Sequence, residues 1–156
     1  MSSFSKAKEY ISSPSQEFIY ELTGGEGLEQ ALEVAREVFV EEQGIPVQLV
    51  EEGKETATYL VVRTGQRAVG TARIRLLSPT LAKLERMAVL KSFRNQGIGK
   101  GIISFLAREL KARGITKLRL NAQRQVVAFY RRCGFREVGQ PFLEAGIEHL
   151  RMEKHL

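Results

Sequence analysis

A single cysteine in 156 residues, Cys133, rules out an internal disulfide. A lone thiol fits a reducing compartment, and a cytoplasmic location is expected. No apolar run approaches the ~20 residues that a membrane-spanning helix needs, so no membrane partner is expected. The two histidines, the cysteine and the scattered glutamates fall at no metal-ligand spacing, which excludes an expected metal site. No internal repeat is present. Residues 1–16 are polar and serine-rich, unlike a secretory signal, and are expected to form a mobile N-terminal arm. Residues 17–156 are expected to form one domain, long enough for a real core.

The net charge of +6 conceals a segregation. Residues 1–82 hold 8 basic and 12 acidic side chains, residues 83–136 hold 14 and 2, and the last twenty hold 2 and 4. A basic stretch often marks nucleic acid. No aromatic-rich reading surface accompanies this one, so a nucleic-acid partner is not expected.

The basic middle contains the most informative stretch, Lys83 to Gly101. Leu84, Arg86 and Ala88 alternate with Glu85, Met87 and Val89, the pattern of a strand. The polar loop Lys91-Ser92-Phe93-Arg94-Asn95-Gln96 then feeds Gly97-Ile98-Gly99-Lys100-Gly101, which opens an amphipathic helix. Such a turn presents unpaired backbone N–H groups at the positive end of a helix dipole, an anion site that Arg94 and Lys100 would reinforce. A P-loop would need glycine at Arg94 and Ser or Thr at Gly101; a dinucleotide fingerprint would need its third glycine one residue later. Arg-x-x-Gly-x-Gly, spelled Arg94 to Gly99, is what remains.

Along the rest of the chain, Phe18–Leu22 reads as a first strand. Leu28, Ala31, Leu32, Ala35, Val38 and Phe39 make the stripe of a packed helix, which stops near Gly44 ahead of Pro46. Residues 47–57 read as a loop, and residues 58–63 and 69–77 as a hairpin. A helix from Ile98 is capped by Gly114. Residues 115–121 form a strand, residues 125–133 a short helix, and residues 135–139 and 147–154 two last strands. Strand–helix–strand across Lys83–Asn121 implies a parallel pair inside a mostly antiparallel sheet.

The loop, followed by a helix, a strand and Ala128-Phe129-Tyr130-Arg131-Arg132-Cys133-Gly134-Phe135, resembles the GNAT acetyltransferases over about Phe18 to Lys154. Val38 to Pro46 and Phe142 to Leu150 make it similar to the bacterial ElaA/YjcF-type subgroup. The resemblance implies the GNAT acyl-CoA N-acyltransferase fold, an α+β arrangement with a splayed parallel pair and helices on both faces. It implies acetyl-CoA as the acyl donor, held by Met87, Ala88, Val89, Arg94, Asn95, Gln96, Gly97, Ile98, Gly99, Lys100, Asn121 and Gln123. Gln123 departs from the asparagine common in the family seven residues before the tyrosine; the longer amide makes the same type of contact. A small-molecule or peptide amine would attack the thioester directly, with no nucleophilic side chain. GNAT domains often dimerise, so a homodimer is also implied.

Tyr130 matches the family's usual general acid, although its place on the helix's apolar face also fits simple packing. An amine of pKa ~10 is neutral in about one molecule per thousand at pH 7, roughly 4 kcal/mol of barrier that a base must relieve. Glu85, on the strand face of Met87 and Val89, is the first candidate for that base. Glu41, Glu42, Gln43, Glu144 and His149 come from the subgroup motifs that wall the acceptor pocket, and two glutamates at a helix end suggest a cationic acceptor. Cys133 shares the apolar face of Val126, and buried thiols are inert. A coenzyme A-binding sensor without turnover is the alternative function.

Overall fold

Alternating and periodic segments resolve into β1 (Lys8–Ser12), β2 (Glu17–Thr23), α1 (Leu28–Ala35), α2 (Val47–Glu51), β3 (Thr58–Thr64), β4 (Arg67–Ser78) and β5 (Leu81–Val89). They continue with α3 (Ile98–Ala112), β6 (Lys117–Gln123), α4 (Val127–Arg132), β7 (Arg136–Glu137), β8 (Phe142–Glu144) and β9 (Ile147–His155). This is a computed structural model that describes residues 8–12, 17–23 and 27–156. The strands form one sheet in the order β1-β2-β3-β4-β5-β6-β9-β7, with β8 also on β9. All neighbours are antiparallel except β5 and β6, the parallel pair that strand–helix–strand order requires.

Directly paired residues share a sheet face. On one face Tyr59 and Val61 of β3 pack against Ala31 and Leu32 of α1. On the other, Leu60, Ala72, Ile74, Leu84, Leu118 and Leu120 meet Ile102, Phe105 and Leu106 of α3 and Tyr130 of α4 in the main core. Gly101 lets α3 lie on β2: a methyl there would collide with the hydroxyl of Tyr20.

Four local expectations change. Lys8–Ser12, placed in the arm, pair with β2 from Lys8↔Glu21 to Ser12↔Glu17. An edge strand takes backbone bonds from one neighbour alone, so it can form without a run of alternating apolar residues; residues 1–7 and 13–16 of that arm lie outside the described residues. Val47–Glu51 form one helical turn, with the N–H groups of Leu49 and Val50 donating to the Pro46 carbonyl and Val50 buried. The strand expected at residues 135–139 shrinks to Arg136–Glu137. Phe142–Glu144 forms a strand that a two-residue turn joins to β9, with Ala145 at φ 52 and Gly146 at φ 74, the positive angles a tight hairpin requires.

The helix from Leu28 changes character at Arg36 and runs to Glu42 as a π-helix, a rare geometry that recurs beside functional sites. It ends as the sequence suggests, with Gly44 at φ 73 and the Ile45 N–H donating to the Phe39 carbonyl.

Candidate functional site

Strand β5 carries a bulge. Register with β4 shifts between Arg73↔Glu85 and Thr71↔Ala88, so Arg86 and Met87 together face Ala72. Arg86 adopts φ 50, a strained angle for a side chain of its size. The extra residue breaks the alternation that would have put Glu85 and Met87 on one face. Glu85 turns to Arg73 and Arg75, whereas Met87 turns to Tyr130, its sulfur 3.9 Å from the phenol oxygen.

Pairing between β5 and β6 stops at the same level. The parallel ladder runs from Leu81↔Lys117 to Leu84↔Leu120 and ends there. Asn121, Ala122 and Gln123 continue on β9. Glu85–Val89 therefore continue past the end of the ladder unpaired with Asn121–Gln123, leaving a gap edged by backbone groups, the kind of edge an added strand can join. Leu90 donates its N–H to the Val69 carbonyl on β4. Alternation along the strand turns the Val89 N–H the other way, into the gap.

The gap leads to the glycine corner. Asn95 at φ 63 and Gly97 at φ 82 reverse the chain into α3. The first helical bond runs from the Gly101 N–H to the Gly97 carbonyl at 2.9 Å. The N–H groups of Ile98, Gly99 and Lys100 thus have no acceptor within the helix and point outward at its positive end. Ile98 is buried and anchors the turn, while Asn95, Gln96, Gly97 and Lys100 are exposed. A methyl on Gly99 would stand 3.1 Å from the Phe129 ring, so glycine there lets α4 close on the corner.

Arg94 behaves differently from the expectation. Its Nε donates to the Val89 carbonyl at 2.9 Å, and both terminal nitrogens clasp the Glu42 carboxylate at 2.7 Å. Those hydrogen bonds hold the Glu42 carboxyl below its ordinary range. Arg94 therefore ties the end of the π-helix to the end of β5, and Glu42 is neutralised rather than offered to a cation. Glu41, one residue earlier, is exposed. On the opposite rim Gln123 donates to Gln43 at 2.9 Å, so the π-helix end bridges both sides of the gap.

Tyr130 projects from α4 into the core side of the gap, packed edge-on against Phe129 at 5.1 Å and Phe135 at 5.6 Å. Burial pushes its phenol above the ordinary value, which keeps it protonated at neutral pH. Burial also raises the Cys133 thiol, so the thiolate a nucleophile needs is disfavoured.

Glu85 does not have the character of a base. It is buried beside an equally buried Arg73, with Arg73 Nη2 at 2.6 Å, Arg75 Nη2 at 2.5 Å and Lys83 Nζ at 3.3 Å. Burial alone would raise this carboxyl. Hydrogen bonds from Arg75 and Arg73, with the charges of Arg73 and Lys83, outweigh that and bring it down to about 2. A carboxylate so stabilised has little appetite for a proton. Arg73 also donates to the Glu52 carbonyl, and Arg86 to the carbonyls of Val50, at 3.2 Å, and Leu49, at 2.8 Å. These arginines stitch α2 to the sheet. Sequence reasoning missed that role, because it requires knowing that Arg73 and Glu85 are cross-strand partners.

Glu144 and His149 come together across the hairpin. His149 Nε2 lies 3.6 Å from Glu144 Oε2, and Asn121 Nδ2 donates to the other Glu144 oxygen at 3.3 Å. His149 pairs with Gln123 across β9 and β6, so it stands where β6 has left β5.

A family model described as "Acetyltransferase (GNAT) domain" matches residues 13–156. The uncharacterized N-acetyltransferase YjcF of Bacillus subtilis is 40% identical over 131 residues, covering 83% of this chain and 93% of that protein. The structure of Escherichia coli ElaA superposes with a TM-score of 0.76 at 21% identity, over 86% of this chain and 97% of that one. A GNAT acetyltransferase from Elizabethkingia anophelis, solved with acetyl-CoA bound, superposes with a TM-score of 0.69 at 15% identity, over 89% of this chain and 98% of that one. By the family match and by sequence identity to its relatives, this chain belongs to the GNAT acetyltransferases.

Proposed function

We propose that this protein transfers the acetyl group of acetyl-CoA to the primary amine of a small molecule or peptide. One observation carries the reading: the β5–β6 gap opens between the exposed N–H groups of the α3 corner and the buried Tyr130 hydroxyl. Acetyl-CoA supplies an activated thioester on a long arm that ends in a diphosphate. The residues present fit both ends. The N–H groups of Ile98, Gly99 and Lys100 face a diphosphate, with Lys100 adding positive charge. The backbone of Glu85–Val89 lines the arm. The Val89 N–H, turned into the gap, polarises the thioester carbonyl and stabilises negative charge on its oxygen. Tyr130, kept protonated by burial, donates to the departing sulfur. The solved E. anophelis relative that holds acetyl-CoA supports the choice of donor.

The test is thiol release from acetyl-CoA over a panel of amino sugars, polyamines, amino acids and peptides, with products identified by mass. At least one amine should be acetylated with saturation. Coenzyme A that binds while no amine reacts would refute the transfer reading and leave a sensor.

A further inference from the structure

We infer that His149 removes the proton from the acceptor ammonium, and that Glu144 holds that ammonium against it. The inference rests on the transfer reading above and names the catalytic base that Glu85 does not supply.

His149 Nδ1 lies 2.7 Å from the Ile147 carbonyl. A carbonyl only accepts, so Nδ1 carries the hydrogen, and in the neutral ring Nε2 is a bare lone pair. The ring is only 6% exposed and stacks on Phe142 with centroids 6.0 Å apart and planes at 26°, which fixes its direction. Nε2 is therefore aimed at the Glu144 carboxylate, 3.6 Å away.

A neutral ring with its hydrogen on Nδ1 has nothing at Nε2 to donate to the carboxylate 3.6 Å away. Two acceptors held this close call for a donor carrying positive charge. A protonated ring would instead pair with the carboxylate, which is the state reached after the proton has been taken up. Asn121 steadies the Glu144 head from β6, while the glutamate side chain stays 43% exposed and open to solvent. Arg86 on β5 interacts electrostatically with Glu144 but gives its hydrogen bonds to α2 carbonyls. Glu148, on the same strand as His149, is bonded to Arg124 at 2.7 Å.

A primary ammonium has three N–H donors. One meets Glu144 Oε2, one meets His149 Nε2, and the carbon chain extends outward. The proton on the second passes to Nε2, giving a neutral amine and an imidazolium stabilised by Glu144. The amine nitrogen forms its bond to the thioester carbonyl carbon and the carbon–sulfur bond breaks. The sulfur takes the Tyr130 proton, the nitrogen's surplus proton returns to Tyr130 through water, and His149 releases its own to solvent. One proton is liberated per amide formed. Acid and base thus approach the gap from opposite faces of the sheet.

Two measurements test this. Nitrogen-15 NMR of the histidine rings should show the neutral form of His149 carrying its hydrogen on Nδ1; the Nε2–H tautomer would overturn the inference without reference to turnover. With the best amine from the panel, His149→Gln should lower kcat about 10²- to 10⁴-fold. Its melting temperature and its affinity for coenzyme A should remain those of the wild type. The loss should shrink for aniline, which is neutral at the assay pH, and imidazole in the buffer should partly restore His149→Ala. Glu144→Gln should raise KM for the amine. Wild-type protein that acetylates nothing defeats the transfer reading and this inference together. Wild-type turnover untouched by His149→Gln defeats this inference alone.

Discussion

Replacing Glu85 by glutamine separates a structural carboxylate from a catalytic one. In the folded protein this carboxyl is held near 2 against an ordinary 4.5. At ~1.4 kcal/mol per pH unit that difference amounts to roughly 3 kcal/mol of folding stability. The figure agrees with the ~3–5 kcal/mol expected when a buried ion pair loses one partner. Because the folded value lies below the unfolded one, the contribution is complete above about pH 4.5 and is lost as pH falls toward 2. By pH 3 about 2 kcal/mol of it is gone. Glu85→Gln should therefore lower the urea midpoint at pH 7 by ~1.5 M, taking an m-value of ~2 kcal/mol/M. The gap to wild type should narrow steadily between pH 5 and pH 3. Acetyl transfer, measured where both proteins are folded, should fall less than about tenfold. An unchanged urea midpoint with transfer reduced a hundredfold would restore Glu85 as the base and refute this reasoning.

Three further outcomes follow from the same geometry. Gly97→Val forces a β-branched residue to φ 82, and should weaken coenzyme A binding at least tenfold by calorimetry, because the corner that aims three N–H groups is displaced. On the proposed mechanism, in which the phenol protonates the sulfur, Tyr130→Phe should lower kcat for amine acetylation ~10²-fold while leaving coenzyme A affinity within twofold. Gly101→Ala places a methyl against the buried Tyr20 hydroxyl and should cost ~1–3 kcal/mol in thermal unfolding, as overpacking does.

Much of this could be read from the residues because the relevant physics is local. Alternation located β3, β4 and β5, the apolar stripe located α1 and α3, and Gly97-Ile98-Gly99 marked the turn that starts α3. The parallel β5–β6 pair followed from strand–helix–strand order. What escaped depends on partners far along the chain. Lys8–Ser12 pairs along an edge and needs no apolar pattern. The bulge at Arg86 has no local signature, yet it decides which way Glu85 points. Arg94 looked like a free anion ligand, but Glu42, 52 residues away, claims its guanidinium. His149 was visible as a titratable residue on a strand; its fixed tautomer and the nearby Glu144 required the hairpin turn at Ala145-Gly146.

Calorimetric titration of the purified protein with coenzyme A, wild type beside Gly97→Val, addresses the gap and its corner most directly. The wild type should release heat and saturate at one coenzyme per chain, with affinity falling at least tenfold in the variant. No heat from the wild type, or identical curves for the two proteins, would show that the α3 corner does not hold the acyl carrier.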